Sequence, residues 1–304
     1  MKLSKLHYTD HEAIDASLII PIMEIIRNKE FGGERPLYCK HGLRLENVTI
    51  HVGESSIKEG SDIEAVNCTF EGKYVFWEVN NFSVKNCYFA ESARSSLWYS
   101  RNCRMIDCKV DAPKLFRRMT GIYVENTDFP NGEQFLWDCK DIVLKNVSID
   151  KCDYVFMHSE NIKIENYRQD GNYGFQYAKN VEIHNALINS KDAFWEAENV
   201  TIYDSEINGE YLGWYGKNLR FVRCHLTGEQ LLCYVDGLIL EDCTFGEDAN
   251  LLFEYSSLKA TVKGHITSVK NPTSGELTAD SIGEIIIDDN IKSPANCKIT
   301  VLTK

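Results

Sequence analysis

Proline is scarce in this 304-residue chain, at 6 residues, and glycine reaches only 19, so neither a collagen-like repeat nor a Pro/Gly-rich disordered tract is present. No apolar run approaches the ~20 residues that a membrane-spanning helix needs. At the start of the chain, Asp10, Glu12 and Asp15 precede a short apolar run, Ala16 to Met23, that Pro21 interrupts, which is not the pattern of an export signal. Positive charge is in deficit: 33 Lys and Arg stand against 45 Asp and Glu, for a net charge of −12. That balance argues against a broad electrostatic footprint for nucleic acid or an anionic membrane, so neither is expected as a partner. No CxxC pair occurs and the 8 histidines are scattered, so no metal site is expected. With no export signal in view, the 11 cysteines are expected as reduced thiols of a cytoplasmic protein rather than as a disulfide framework.

What the chain has instead is internal repetition. The phrases LENVTI, AVNCTF, VKNCYF, MIDCKV, VENTDF, LKNVSI and LEDCTF recur, and their polar residues (Asn47, Asn67, Asn86, Asp107, Asn126, Asn146 and onward to Asp242) are spaced by 19 to 21 residues. Five residues before each lies a second ladder, Gly42, Asp62, Asn81, Asn102, Gly121, Asp141, Asn161, Asn180, Asn199, Asn218 and Gly237. Asn, Asp and Gly tolerate a left-handed backbone, so each ladder reads as a stack of sharp corners, with Asn amides bonded along the stack. The four residues between the ladders alternate as a strand does, with Leu45, Ala65, Val84, Met105, Val124 and Leu144 turned to the core.

A period this short has no room for a helix in each repeat. It predicts an all-β fold, a single-stranded right-handed parallel β-helix of about twelve coils, in one domain. Residues 1–25 are expected to cap the N-terminus, 26–255 to form regular coils and 256–304 to continue as irregular coils.

In such a solenoid the unit of function is the column along the axis. All five tryptophans, Trp77, Trp98, Trp137, Trp195 and Trp214, fall in one column, together with Lys58, Arg117, Met157, Gln176, Cys233 and Phe253. The preceding column, including Leu97, Phe116, Leu136, Phe156, Phe175 and Phe194, reads as core, so the tryptophans are expected to point outward. The following column, Cys39, Glu59, Glu78, Tyr99, Arg118, Asp138, His158, Tyr177, Glu196, Tyr215 and Tyr234, is almost wholly polar. Aromatic faces edged by hydrogen-bonding groups suit sugar rings, so a carbohydrate ligand is expected, with Lys58, Trp77, Arg94, Trp98, Trp137, Trp195 and Trp214 as binding residues. The candidate catalytic groups are Arg117, Arg118, Asp138 and His158, where Asp138 would orient His158 as a general acid or base. To these Glu59 and Glu78 add a carboxylate pair at the spacing of a retaining glycosidase. The competing reading of both clusters is a solvated ion-pair ladder. Cys68, Cys87, Cys108, Cys224 and Cys243 recur in one slot as core filler.

The segments EFGGERPL (30–37), GESSIKE (53–59), ARSSLWY (93–99), APKLFRR (112–118), GNYGF (171–175), SKDAFWEAENV (190–200), GEYLGWYGKNL (209–219) and VKNPTSGELTADSIGEIII (269–287) resemble an uncharacterised bacterial domain family of the pectin-lyase-like right-handed β-helix superfamily. The resemblance implies the architecture and draws attention to Glu34, Arg35, Glu54, Lys191, Asp192 and Glu210 beside the residues above. It implies no reaction, since this superfold hosts hydrolases, lyases and esterases alike. The aspartate cluster of polygalacturonase-like members has no counterpart here, and Glu59 and Glu78 near Lys58 and Arg117 only loosely resemble a pectate-lyase-like site. Two readings remain: a carbohydrate-active hydrolase, lyase or isomerase, or a non-catalytic scaffold that binds glycan or protein. The sequence names no cofactor and leaves the oligomeric state open.

Overall fold

The computed structural model describes residues 23–303, and all of its strand pairings are parallel. Fifteen strands stack on one long face, from Glu24–Arg27 through His41–Glu46, Ser61–Val66 and their successors to Lys298–Val301. Register follows the repeat: Leu43 lies beside Ile63, Ile63 beside Phe82 and Phe82 beside Cys103. The fold is the expected β-helix, with more coils than the twelve read from the sequence. The extra coils come from the C-terminal end. Glu24–Arg27, which straddles the expected boundary between cap and coils, pairs with the second coil. Ser257–Lys270, Ser274–Ile286 and Lys298–Val301 continue the stack with bulged register. The rest of the expected cap, residues 1–22, lies outside the described residues.

Both polar ladders form as corners. Asn47, Asn67, Asn126 and Asn146 have φ between +49° and +55°, and Asp62, Asn81, Asn161, Asn180 and Asn199 lie between +55° and +59°. Their side chains bond up the stack, as in Asn146 Nδ2 to Asn126 Oδ1 at 2.9 Å and Asn180 Nδ2 to Asn161 Oδ1 at 3.0 Å. Each amide donates to the coil before and accepts from the coil after, so one residue type satisfies itself repeatedly.

A third corner, Asp138 apart, uses residues without that tolerance. Arg118, Asp138, His158, Tyr177, Glu196, Tyr215 and Tyr234 all have φ between +50° and +59°. Even the core residues Leu136, Phe156, Phe175 and Phe194 have φ between +56° and +61°. Left-handed backbone costs about 1–2 kcal/mol for each such residue. The cost is offset because each corner amide meets the next coil: Arg118 N–H donates to Trp137 O at 2.9 Å and His158 N–H to Gln176 O at 3.1 Å. Buried serines reinforce the corner. Ser159 Oγ donates to Leu136 O at 2.6 Å and accepts from Cys139 N–H at 2.9 Å, and Ser100 and Ser256 repeat the clamp.

The interior is a continuous apolar stack. Phe156, Phe175 and Phe194 are fully buried and parallel, with centroid separations of 4.4 and 4.6 Å. The column narrows at Gly213, which is left-handed (φ +73°) and has Leu219 and Leu232 methyl carbons 3.0 Å from where a Cβ would sit. Cys68, Cys87, Cys108, Cys224 and Cys243 are buried filler, and all eleven thiols are free. Only Cys39 is exposed.

On the outside, charges pair between coils. His51 bridges Glu30 (2.9 Å) and Glu71 (3.0 Å), clipping three successive coils. Its hydrogen bonds to Glu30 and then to Glu71 raise its pKa above the usual 6.5. A raised folded-state pKa means that the clip stabilises fully below the unfolded value and is lost as pH rises through the folded value. We expect His51→Gln to abolish that part of the pH dependence of stability above pH 6.5, checked by denaturation across pH 5–9 beside an NMR titration of the imidazole.

Candidate functional site

The tryptophan column faces outward, as its alternation with the core column requires. Trp77, Trp98, Trp137, Trp195 and Trp214 are all half-buried, while the residues before them, from Phe76 to Phe194, are fully buried. Parallel bridges from Trp98 to Arg117 and from Arg117 to Trp137 confirm that the column is in register. Cys233 and Phe253 depart from it. Both are fully buried, and Phe253 meets Phe245 edge-on at 5.9 Å, so the outward column ends at Trp214. In that coil Leu231, Leu232 and Cys233 are all drawn into the core.

Two left-handed columns flank the tryptophans. On one side run Glu59, Glu78, Tyr99, Arg118, Asp138, His158, Tyr177, Glu196, Tyr215 and Tyr234. On the other run Tyr74, Ser95, Lys114, Gln134, Tyr154, Tyr173, Asp192, Tyr211 and Gln230, a column that the sequence reading did not isolate. The signal for it was available: four of its nine members are tyrosine, at the same period as the tryptophans. The indoles tie to this second column through Trp98 Nε1–H to Lys114 O (2.7 Å), Trp137 Nε1–H to Tyr154 O (2.6 Å) and Trp214 Nε1–H to Gln230 O (2.7 Å).

In the N-terminal half the charged candidates are satisfied by one another. Lys58 Nζ lies 3.2 Å from Glu59 and 3.7 Å from Glu78. Tyr38 O–H donates to Glu59 at 2.6 Å, and that bond, helped by Lys58, holds the Glu59 carboxyl below the usual carboxylate range. In a retaining pair that direction suits the nucleophile, not the proton donor. The Arg117 guanidinium is sandwiched between Trp98 (4.4 Å) and Trp137 (4.7 Å) and donates to Gln134 Oε1 at 3.2 Å. Trp77 and Trp98 pack at 5.3 Å. The Trp98 and Trp137 rings are therefore already covered by a cation of the protein.

The expected Asp138–His158 pair is not made. Asp138 faces Arg118 at 3.7 Å, and His158 stacks on Tyr177 at 4.7 Å with planes 14° apart. The register puts the two residues in neighbouring coils, but the left-handed corner turns their side chains along the stack, where the nearest aromatic ring is the better partner for imidazole. Arg94 is exposed and forms no ion pair among the described residues. At the equivalent position one coil earlier, Lys73 pairs with Glu54 at 2.6 Å.

The C-terminal half differs. Trp195 and Trp214 stack at 5.5 Å, Trp214 meets Tyr211 edge-on at 5.4 Å, and Tyr215 stacks on Tyr234 at 4.8 Å. Tyr234 approaches Trp214 at 5.3 Å and Tyr255 at 5.5 Å. Beside this cluster an open groove of about 420 Å³ is lined by Glu196, Tyr215, Gly216, Lys217, Tyr234 and Asp236. Asp236 and Lys217 were not among the residues read from the sequence, because they lie two residues beyond the corner. Here aromatic faces and hydrogen-bonding groups share one concave surface. Among the described residues, no three His, Cys, Asp or Glu side chains gather as metal ligands.

Comparison with curated proteins found no match. Among solved structures, the chain is similar to a mutant tailspike protein of Escherichia coli bacteriophage HK620 in complex with a hexasaccharide. That match has a TM-score of 0.60 at 10% identity and covers 92% of this chain and 72% of the tailspike. A second tailspike mutant of the same phage, in complex with a pentasaccharide, matches with a TM-score of 0.54 at 10% identity, covering 92% and 73%. At that identity the likeness is one of fold. The family model described as "Protein of unknown function (DUF3737)" matches residues 24–300, and the chain belongs to that family.

Proposed function

We propose that the protein binds an oligosaccharide along its tryptophan-lined corner, with its main contacts at the C-terminal aromatic cluster. The observation that carries this reading is the juxtaposition of Trp195, Trp214, Tyr215 and Tyr234 with the groove that holds Glu196, Lys217 and Asp236. Sugar rings present apolar C–H faces to aromatic rings while their hydroxyls bond polar groups at the rim, and this surface offers both. Tailspikes of similar fold have been solved in complex with oligosaccharides, which supports an oligosaccharide as the ligand. The reading favours binding over turnover, because Asp138 and Glu78 are ion-paired at the surface and Asp138 does not meet His158.

The test is a glycan array followed by titration of intrinsic tryptophan fluorescence. A binding oligosaccharide should change the emission of Trp195 and Trp214. Alanine at Arg118, Asp138 or His158 should leave the dissociation constant within about twofold, the scale of an exposed contact. Loss of binding at those positions would return the site to the N-terminal half. Absence of any glycan that binds would end the reading.

A further inference from the structure

Among the eleven cysteines Cys39 alone is exposed, and its thiol meets a base. Buried thiols such as those of Cys139 and Cys243 donate instead to the backbone carbonyls of Phe116 (3.2 Å) and Phe221 (3.3 Å). Burial pushes the Cys139 thiol up to about 12 and raises that of half-buried Cys297 as well, which keeps both protonated and unreactive. Cys39 Sγ lies 3.6 Å from His41 Nε2, and both residues face solvent.

The neighbouring bonds fix which atom holds which proton. Ser61 Oγ–H donates to Asp62 Oδ2 at 3.0 Å, and a hydroxyl has one proton to give. Towards His41 Nδ1, 2.9 Å away, the Ser61 oxygen can therefore only accept, so the network assigns the imidazole hydrogen to Nδ1. Neutral His41 then presents the Nε2 lone pair to the Cys39 S–H. A proton that crosses to Nε2 leaves a sulfur nucleophile and an imidazolium whose Nδ1–H reaches a carboxylate through Ser61. Nucleophile, base and orienting group follow one another, the arrangement that activates a weak nucleophile.

Both ends of this relay are held by the solenoid. Cys39 has φ +54° and its N–H donates to Lys58 O at 2.9 Å, while Asp62 has φ +56° and accepts from Asn81 Nδ2 at 2.6 Å in the corner ladder. The charges around it are engaged elsewhere: Lys40 with Glu24 (3.1 Å), and Glu59 with Tyr38 (2.6 Å) and Lys58 (3.2 Å).

The surroundings also select the electrophile. Acyl transfer needs donors for an oxyanion, and the Cys39 N–H is already given to Lys58 O. Exchange with a disulfide develops charge on sulfur alone and asks only for access, which an exposed corner supplies.

We infer that Cys39 is a covalent modification site, at which His41 takes the thiol proton as Sγ attacks a low-molecular-weight disulfide. A bond forms between Cys39 Sγ and one sulfur of the reagent, the reagent's S–S bond breaks, and the departing thiolate takes the proton from His41 Nε2. Cys39 is oxidised to a mixed disulfide while the other half of the reagent is reduced to a free thiol, so no further oxidant enters.

The full chain, freshly reduced, is treated at pH 7 with bis(2-hydroxyethyl) disulfide, a neutral reagent, and the adducts are located by peptide mass mapping. One mixed disulfide should form first, on Cys39, and Cys39→Ser should remove it. His41→Gln should slow its formation at least tenfold, a lower bound on what a positioned base contributes. Ser61→Ala should slow it by a smaller factor, and Ser61→Thr, which keeps the hydroxyl, should stay close to the wild-type rate. His41→Ala should regain rate when imidazole is added to the solution, a recovery that damage to the fold would not show. An adduct that forms first on another cysteine, or on Cys39 at a rate within about twofold of wild type in His41→Gln, would overturn the inference. Failure of imidazole to restore His41→Ala would overturn it as well.

Discussion

Phe175→Ala is expected to destabilise the protein by about 3–5 kcal/mol, the range for removing a fully buried phenylalanine. Phe175 is the middle of three parallel rings and is fully buried, with Phe156 on one side and Phe194 on the other. Its removal forfeits two stacked contacts and leaves a void in a solenoid whose coils touch only their immediate neighbours. No distant element can move in to fill it, because the backbone on both sides is held by inter-coil hydrogen bonds such as Phe175 N–H to Val155 O at 2.8 Å and Phe194 N–H to Gly174 O at 2.8 Å. Phe175→Leu keeps much of the volume and is expected to cost less than half as much. Urea unfolding checks both: the midpoint should fall with little change in slope if the coils unfold together. A loss below about 1 kcal/mol for the alanine variant would mean that the ring stack is not what holds these coils together. The same coil carries Gln176 and Tyr177 on its outer side, so a loosened core should also weaken any ligand contact made there.

The repeat, the two polar ladders and the inward columns were legible because their chemistry is local. Asn and Asp are the residues that tolerate a left-handed backbone and can bond to copies of themselves, so Asn146 or Asn180 announces its corner. Arg118, His158 and Phe175 do not, since nothing in an arginine or phenylalanine marks a positive φ. That third corner arises from the closure of the coil and is sustained by amide bonds to the neighbouring coil, which are invisible in one dimension. The outward turn of the tryptophans followed correctly from alternation. The inward turn of Cys233 and Phe253 did not, because it depends on Leu231 and Leu232 filling the core beside them. Charge was the least legible feature. The sequence places Lys58, Arg117 and Arg118 on one stretch of one face and suggests a basic patch. Geometry spends Arg117 between two indoles and Lys58 and Arg118 on carboxylates.

Trp214→Ala is expected to weaken oligosaccharide binding by about tenfold to a hundredfold, or ~1.4–2.8 kcal/mol. Trp214 is the hub of the C-terminal cluster: it stacks on Trp195, meets Tyr211 and Tyr234, and is pinned by Nε1–H to Gln230 O. Removing it takes away the largest flat face beside the groove and frees Tyr211 and Tyr234 to rotate, so a bound ring would lose both its platform and the preorganisation of its walls. Trp214→Phe keeps a ring and loses the pinning bond, which should place it between the wild type and alanine. The N-terminal half supplies the control. Trp98 is equally aromatic, but its face is covered by Arg117 at 4.4 Å. Trp98→Ala should therefore change the affinity by less than about threefold, while removing one side of the cation–π sandwich, worth about 0.5–2 kcal/mol of stability. Fluorescence titration and urea unfolding of the two alanine variants give opposite rankings under this arrangement: Trp214 matters more for binding, and Trp98 has its larger effect on stability. If the rankings are reversed, the ligand lies where the protein's own arginine now sits, and the guanidinium is a movable plug over the N-terminal rings rather than a permanent part of the wall.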